Sequence, residues 1–209
     1  VKSSFIGIGT DGKPVNMDLW RPSKKGDGTW GIFSCESAYA MDYAYDGGID
    51  DDGKIVGKIP QYIYSKEEER FVEVTDLSNA FYKCTGLTTA PEIPSSVIYM
   101  NSTFAYCTRL TTAPEIPNSV KYMYATFSGC TGLTTAPEIP NSVTSMHSTF
   151  SGCTNLTGEI TINANLNSSE KWIYEDCFSG TTKPIQLTGT CTILSKLAET
   201  SSNGNVTVK

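Results

Sequence analysis

The chain has 209 residues, 39% hydrophobic and 18% charged, with 16 basic against 22 acidic side chains and a formal net charge of -6. That is enough apolar material for one domain with a core and too little positive charge to track a phosphate backbone or an anionic lipid, so no nucleic acid partner is expected. A lone histidine, His147, excludes most histidine-based metal and triad chemistry. No run approaches the roughly 20 apolar residues of a bilayer span, so no membrane insertion is expected within this segment. The start at Val1-Lys2 suits a segment trimmed of an upstream signal or anchor, and equally a cloning boundary.

Residues 1–58 do not repeat internally. Turn signals at Thr10-Asp11-Gly12-Lys13 and Gly26-Asp27-Gly28 separate three β-prone arms, 5–9 (FIGIG), 15–20 (VNMDLW) and 29–33 (TWGIF), which predicts a β-rich N-terminal cap built from hairpins. From Ser34 to Asp46 the pattern fits a short helix with Ser34 as N-cap, although alternation in AYAMDYAY fits a strand as well. The acidic stretch 46–52 invites a calcium reading. Laid on an EF-hand loop, Asp50, Asp52, Gly53 and Ile55 fall at the right offsets, but Gly48 stands where the first Asp belongs and Ile59 where the bidentate Glu belongs. An acidic Asp-Gly turn is therefore the better expectation, and no metal site is assigned. Ile59-Pro60 then resembles a corner of the array that follows, and 62–74 (YIYSKEEERFVEV) reads as an inserted hairpin around a charged turn.

The rest of the chain is organised by a period. Cys84, Cys107, Cys130 and Cys153 are each 23 residues apart, and three consecutive units align on them: 84–106 (CTGLTTAPEIPSSVIYMNSTFAY), 107–129 (CTRLTTAPEIPNSVKYMYATFSG) and 130–152 (CTGLTTAPEIPNSVTSMHSTFSG). Fifteen of the 23 positions are the same in all three. Each unit carries one apolar stripe, C-x-x-L-x-x-A-x-x-I-P then V-x-x-M-x-x-x-F, which it cannot bury alone, so the units must stack. Leu, Ile, Met and Phe then form columns. L-T-T is the β-prone stretch, and Pro91, Pro114 and Pro137 should end it near the preceding alanine because proline cannot donate to a ladder. Apolar spacing of +3 and +7 in S-V-x-x-M-x-x-T-F predicts a helical or 3₁₀ return leg. Beyond Cys153, β-prone stretches at 160–162, 185–187 and 206–208 recur at spacings of 25 and 21, and Ile193, Leu194, Leu197 and Ala198 have helical spacing suited to a closing cap.

The run A/T-F-x-G-C-T-x-L-T-x-x-x-x-I-P-x-S-V at a 23-residue period resembles the BspA-like leucine-rich repeats of bacterial surface proteins. The family's strand reads L-x-x-I-x-I-P, where this chain has A-P-E-I-P, one residue longer, with a shorter return leg. Pattern and resemblance together lead to a right-handed α/β leucine-rich-repeat solenoid: a cap at 1–58 and a solenoid at 59–209, with regular repeats at 84–106, 107–129 and 130–152 and degenerate coils and a C-terminal cap at 153–209. The resemblance implies a non-catalytic binding or adhesion module, extracellular or at the cell surface, that takes a protein or glycan ligand, host surfaces among them. The alternatives are a carbohydrate-binding or accessory module of a secreted hydrolase, or a structural spacer.

Site readings follow from which positions vary. No catalytic motif occurs, no cofactor is implied, and a Cys153–His147 catalytic pair is not expected; His147, at a variable position, reads as surface decoration. Stacked cysteines project their Cβ atoms in parallel into a shared interior, which favours free buried thiols over disulfides or a thiolate-metal row. Glu92, Glu115 and Glu138 form a like-charged row in which each adjacent pair costs about 0.8 kcal/mol in water at ~5 Å, so they should face solvent. The pairs Thr88-Thr89, Thr111-Thr112 and Thr134-Thr135 suit a short exposed strand rather than a flat hydroxyl array, because adjacent strand residues point to opposite faces. The variable positions instead gather Tyr99, Tyr106, Tyr122 and Tyr124 near the return leg, and these four are the candidate ligand-contact residues.

Overall fold

The N-terminal arms pair as their turn signals predict. The structure, a computed structural model, describes residues 6–15, 20–26, 30–34 and 59–209. Strands β1 (Gly7–Ile8) and β2 (Pro14–Val15) form one antiparallel pair, closed by the Gly9 N–H on the Lys13 carbonyl (2.9 Å). Strands β3 (Trp20–Lys24) and β4 (Trp30–Ser34) form another. Ser34 closes β4 rather than capping a helix; the rest of that predicted helix, the acidic stretch 46–52 and Cys35 lie outside the described residues. The inserted hairpin is present as β5 (Tyr62–Ser65) and β6 (Arg70–Asp76). Far from being an appendage, it is the centre of a six-stranded sheet ordered β2-β1-β5-β6-β4-β3, in which only β4 and β6 run parallel. Trp20 is buried edge-on against Phe81, 5.8 Å between centroids at 88°, and so joins this sheet to the first phenylalanine of the array.

The predicted columns form the core. Leu87, Leu110 and Leu133, Ile93, Ile116 and Ile139, Met100, Met123 and Met146, and Cys84, Cys107, Cys130 and Cys153 are all buried. The phenylalanine column runs through five rings, Phe81, Phe104, Phe127, Phe150 and Phe178, stacked 5.2 to 5.7 Å apart with planes within 13°. The L-T-T stretch contributes a single bridging residue per coil, Thr89 to Thr112 to Thr135, in parallel register. A second parallel column runs Asp76, Tyr99, Tyr122, Ser145. Between these two columns the prolines decide the pairing. Ile139 donates to Thr161 and accepts from the Asn163 N–H (2.8 Å), but in the two preceding gaps the residue in the Asn163 place is Pro117 or Pro140, which has no N–H to give. Among the described residues no backbone hydrogen bond joins 90–96 to 113–119, or 113–119 to 136–142.

The return leg is neither a continuous α-helix nor a continuous 3₁₀-helix, the two forms its spacing allows, although its bonds join residues three apart as in 3₁₀ turns. Each regular coil instead makes three overlapping turns, for example Thr103 N–H to Met100 O, Ala105 N–H to Ser102 O and Cys107 N–H to Phe104 O. Two residues per coil lie at positive φ, such as Ser102 (53°) and Tyr106 (62°), or Ala125 (51°) and Gly129 (71°), and that prevents helix propagation. Turns repeated this way also bring residues three and four apart to one side, so the apolar spacing alone did not separate them from a helix. The turned leg is bonded coil to coil. Met100, Ser102, Phe104 and Tyr106 donate to the carbonyls of Tyr122, Tyr124, Thr126 and Ser128, and the same four-bond pattern recurs in the gaps on either side.

Beyond Cys153 the coils lengthen. Phe178 lies 28 residues after Phe150, where the other rings are 23 apart, so this coil holds five extra residues. They fall between Ile162, still 23 residues from its partner Ile139, and Ile173, whose carbonyl takes the Met146 N–H. A 3₁₀ turn at Lys171–Ile173 follows the insertion. Strands β7 (Gly158–Thr161), β8 (Ile185–Thr188) and β9 (Val206–Val208) form a parallel sheet. Its register pairs Gly158 with Ile185 and Ile160 with Leu187, two residues from the 160-to-185 spacing read in the sequence; an even shift keeps the same side chains inward. The helix α1 (Leu194–Ala198) forms where its spacing predicts and buries Leu197. No helix among the described residues is long and apolar enough to cross a membrane.

Candidate functional site

The tyrosines owe their positions to the turned leg. Residues 99 and 101, or 122 and 124, flank a buried methionine, Met100 or Met123, so both flanking side chains project from one face while the methionine points inward. Stacking then aligns like positions of successive coils. Tyr99 and Tyr122 lie face to face with centroids 4.9 Å apart and planes at 5°. Tyr124 stacks on His147 in the same way, at 5.1 Å and 1°. The two rows read Asp76, Tyr99, Tyr122, Ser145 and Asn101, Tyr124, His147, Glu175.

Of the four residues predicted from sequence, three belong to these rows. Tyr106 does not: its ring meets Tyr82 edge-on at 5.8 Å and covers the backbone of Gly129, at the other end of the turned leg. Tyr122 and Tyr124 remain 38% and 49% exposed despite their stacking, and Tyr106 46%. His147 is not mere decoration. It is half-buried, its Nδ1 is enclosed without a hydrogen-bond partner, and that atom lies 3.9 Å from a Glu175 carboxylate oxygen. Its coil position, 23 residues after Tyr124, is the signal that would have placed it. Trp172, 64% exposed on the 3₁₀ turn after the insertion, has no counterpart in the regular repeats and no such signal.

The stacking restricts what the rows can recognise. Tyr99 and Tyr122 spend one ring face on each other, as do Tyr124 and His147, so those inner faces are not open to a ligand. Ring edges, outer faces and phenol hydroxyls remain for a partner. Such a surface offers apolar contact combined with hydrogen bonds, which is the composition of protein contact surfaces.

The other candidate chemistry is closed off. Cys84, Cys107, Cys130, Cys153, Cys177 and Cys191 are free and buried. Burial raises the Cys130 thiol to about 12, and it pushes Cys107, Cys153 and Cys177 up as well, so none of these four is a ready thiolate. Their task is structural. Cys107, Cys130 and Cys153 donate to the carbonyls of Phe81, Phe104 and Phe127 at 3.0 to 3.1 Å, and Thr103, Thr126 and Thr149 do the same for Leu77, Met100 and Met123. In the lengthened coil the two residue types exchange places: the Cys177 carbonyl takes the Phe150 N–H as Thr149 takes that of Phe127, and Thr181 closes on Phe178 as Cys153 does on Phe150. Glu92, Glu115 and Glu138 are exposed, as the like-charge argument requires.

Two solved structures resemble this fold. A leucine-rich repeat protein from Bacteroides ovatus ATCC 8483 matches over 92% of this chain and 52% of its own, with 21% identity and a TM-score of 0.55. A T. pallidum leucine-rich repeat protein matches over 81% of this chain and 69% of its own, with 19% identity and a TM-score of 0.50. The chain thus spans about half the length of the first of these proteins. No curated protein matches it. The model of the BspA type leucine rich repeat region matches residues 77–198 in six copies, more than half of the chain. The buried Leu, Phe, Cys and Thr columns lie within that stretch, and the chain belongs to this repeat family.

Proposed function

We propose that this chain is a non-catalytic binding module, extracellular or at a bacterial cell surface, that takes a protein ligand on the face formed by Tyr99, Tyr122 and Tyr124 with His147. One observation carries the reading: aromatic side chains occupy positions that vary between otherwise alike coils, and Tyr122 and Tyr124 stay exposed there while the constant Leu, Ile, Val, Met and Phe positions are buried. Membership of a repeat family whose copies serve as interaction modules supports the same reading, as do thiols held away from reactivity. A right-handed course for the 23-residue coils fits the strong preference of parallel crossovers. The 59–209 segment would act as the recognition surface, and the 1–58 segment, with the central hairpin 62–76, would close its N-terminal end. A glycan-binding accessory module or a plain spacer is less well supported, because each stacked pair already occupies its inner ring faces and a spacer needs no exposed aromatic rows.

The test is a screen of the chain against extracellular-matrix and cell-surface protein panels in parallel with a glycan array, repeated with the double variant Tyr122→Ser/Tyr124→Ser. The expected outcome is a protein hit that the double variant weakens at least ~10-fold, a loss of about 1.4 kcal/mol. Glycan hits alone, or a protein hit indifferent to the double variant, would overturn the reading.

A further inference from the structure

The leg between the two bridging columns carries a second surface, independent of the aromatic rows. Where Pro117 and Pro140 interrupt the inter-coil bonding, the coils part into two grooves. The first, about 500 Å³, is floored by Pro91, Ile93, Pro114 and Pro117 and rimmed by Glu92 and Glu115. The second, about 350 Å³, lies one coil further on, between Glu115 and Glu138, over Ile116, Pro137 and Pro140. Glu115 borders both. In the third gap, where Asn163 replaces the proline, the Ile139 and Ile162 bridge closes the leg.

Among the described residues none of these three carboxylates forms an ion pair; Glu92 accepts from the Thr10 hydroxyl (3.4 Å) and Glu138 from the Asn163 amide (2.7 Å). The backbone amides of Glu92, Ile93, Glu115 and Ile116 likewise make no hydrogen bond among the described residues. Apolar floors between carboxylate rims match a side chain with an aliphatic stem and a cationic head, and the unpaired amides match the carbonyls of an extended backbone. Alternate side chains of an extended segment lie about 6.6 Å apart on one face. Neighbouring coils are 5.7 Å apart at the phenylalanine column, so consecutive basic side chains reach consecutive grooves. A chain of net charge -6 attracts such a segment from a distance.

We infer that the two proline-opened grooves form a docking site for an extended basic segment of a partner protein, with arginine or lysine at alternate positions and Glu115 shared between two of its cations. The probe is a synthetic peptide, acetyl-Arg-Ser-Arg-Ser-Arg-Ser-amide, titrated by calorimetry at 0.1 M salt against the full chain. Glu115→Gln is expected to weaken binding at least ~5-fold, and Glu92→Gln or Glu138→Gln ~2-fold each. Pro117→Asn supplies the missing N–H, so it should close the first groove and weaken binding without a change of charge. The Tyr122→Ser/Tyr124→Ser variant should bind the peptide like the parent, which separates this site from the aromatic face. Absence of binding would overturn the inference. So would equal binding of the block isomer acetyl-Arg-Arg-Arg-Ser-Ser-Ser-amide, or a Glu115→Gln effect no larger than that of Glu199→Gln, an exposed acid on the C-terminal helix end; either result means diffuse charge attraction. Glu115→Gln and Pro117→Asn that melt like the parent but bind unchanged would overturn it equally.

Discussion

Gly129 and Gly152 occupy the same place in successive coils, both at φ near +70°, yet their surroundings differ. A Cβ on Gly129 would lie 2.5 Å from Tyr106 Cδ1, whereas one on Gly152 would meet only the Gly129 backbone, at 3.6 Å. Gly152→Ala therefore carries the left-handed backbone penalty alone, about 1 kcal/mol, and Gly129→Ala adds displacement of the tyrosine ring, about 1–2 kcal/mol more. Chemical denaturation of the two variants checks the difference, and equal losses would mean that Tyr106 moves freely. The buried threonine column makes a second prediction at this scale. Thr126→Val keeps the shape but withdraws the hydroxyl from the Met100 carbonyl (2.8 Å), for a loss of about 1–2 kcal/mol, while Thr112→Val at an exposed bridging position should change stability by less than ~0.5 kcal/mol. The constancy of both threonines was plain in the repeat, but the sequence does not distinguish a hydroxyl that satisfies a carbonyl from one that faces water.

The thiol column is an element with a pH dependence of its own. Burial holds the Cys130 thiol neutral, with its value raised from 9.0 to about 12, and Cys107 and Cys153 are raised as well. The unfolded chain ionises these thiols from about pH 9, while the folded chain does not until far higher. The stability they contribute is complete below pH 9 and is lost as pH rises from about 9 towards about 12. Thermal melts in reductant should therefore show Tm falling above pH 9, with a shallower fall in Cys130→Ala than in the parent. A Tm independent of pH between 8 and 10.5 would contradict the burial of these groups. At this scale the sequence was legible where one physical cause acted: hairpin turns, stacked apolar columns, and prolines that stop a strand. It misled at the return leg, since turns with alternating φ and a helix produce the same three-and-four apolar spacing.

For the whole molecule, each coil meets only its neighbours, so removal of one unit should leave a foldable array. Deleting 107–129 brings Tyr106 over Gly152 and Tyr99 against Ser145, positions equivalent to those they leave. The shortened chain should still unfold cooperatively, about 2–3 kcal/mol less stable, which corresponds to a Tm lower by roughly 5–10 °C. A non-cooperative melt by circular dichroism would show that the cap sheet, rather than coil stacking, holds the array together. The period made this architecture legible from four cysteines alone. The five-residue insertion before Trp172 and the central place of the hairpin 62–76 in the cap sheet were less so, because neither repeats and both depend on contacts far apart in the chain.

The inter-coil bonding of the turned leg also has a direction. From Met100 to Tyr106, and at the matching positions of the other coils, the inter-coil N–H groups point towards the C-terminal coil, until the Phe178 N–H ends on the Thr200 hydroxyl; just before them, Ile98, Tyr99, Lys121 and Tyr122 donate the opposite way, to Thr75 and Ile98. Along this stretch the two ends are thus unlike, one presenting acceptors and the other donors. Two copies brought end to end in mirror fashion would set donor against donor, while head to tail they would continue the same bonding. Any repeat grafted onto this scaffold must obey the same polarity along this stretch.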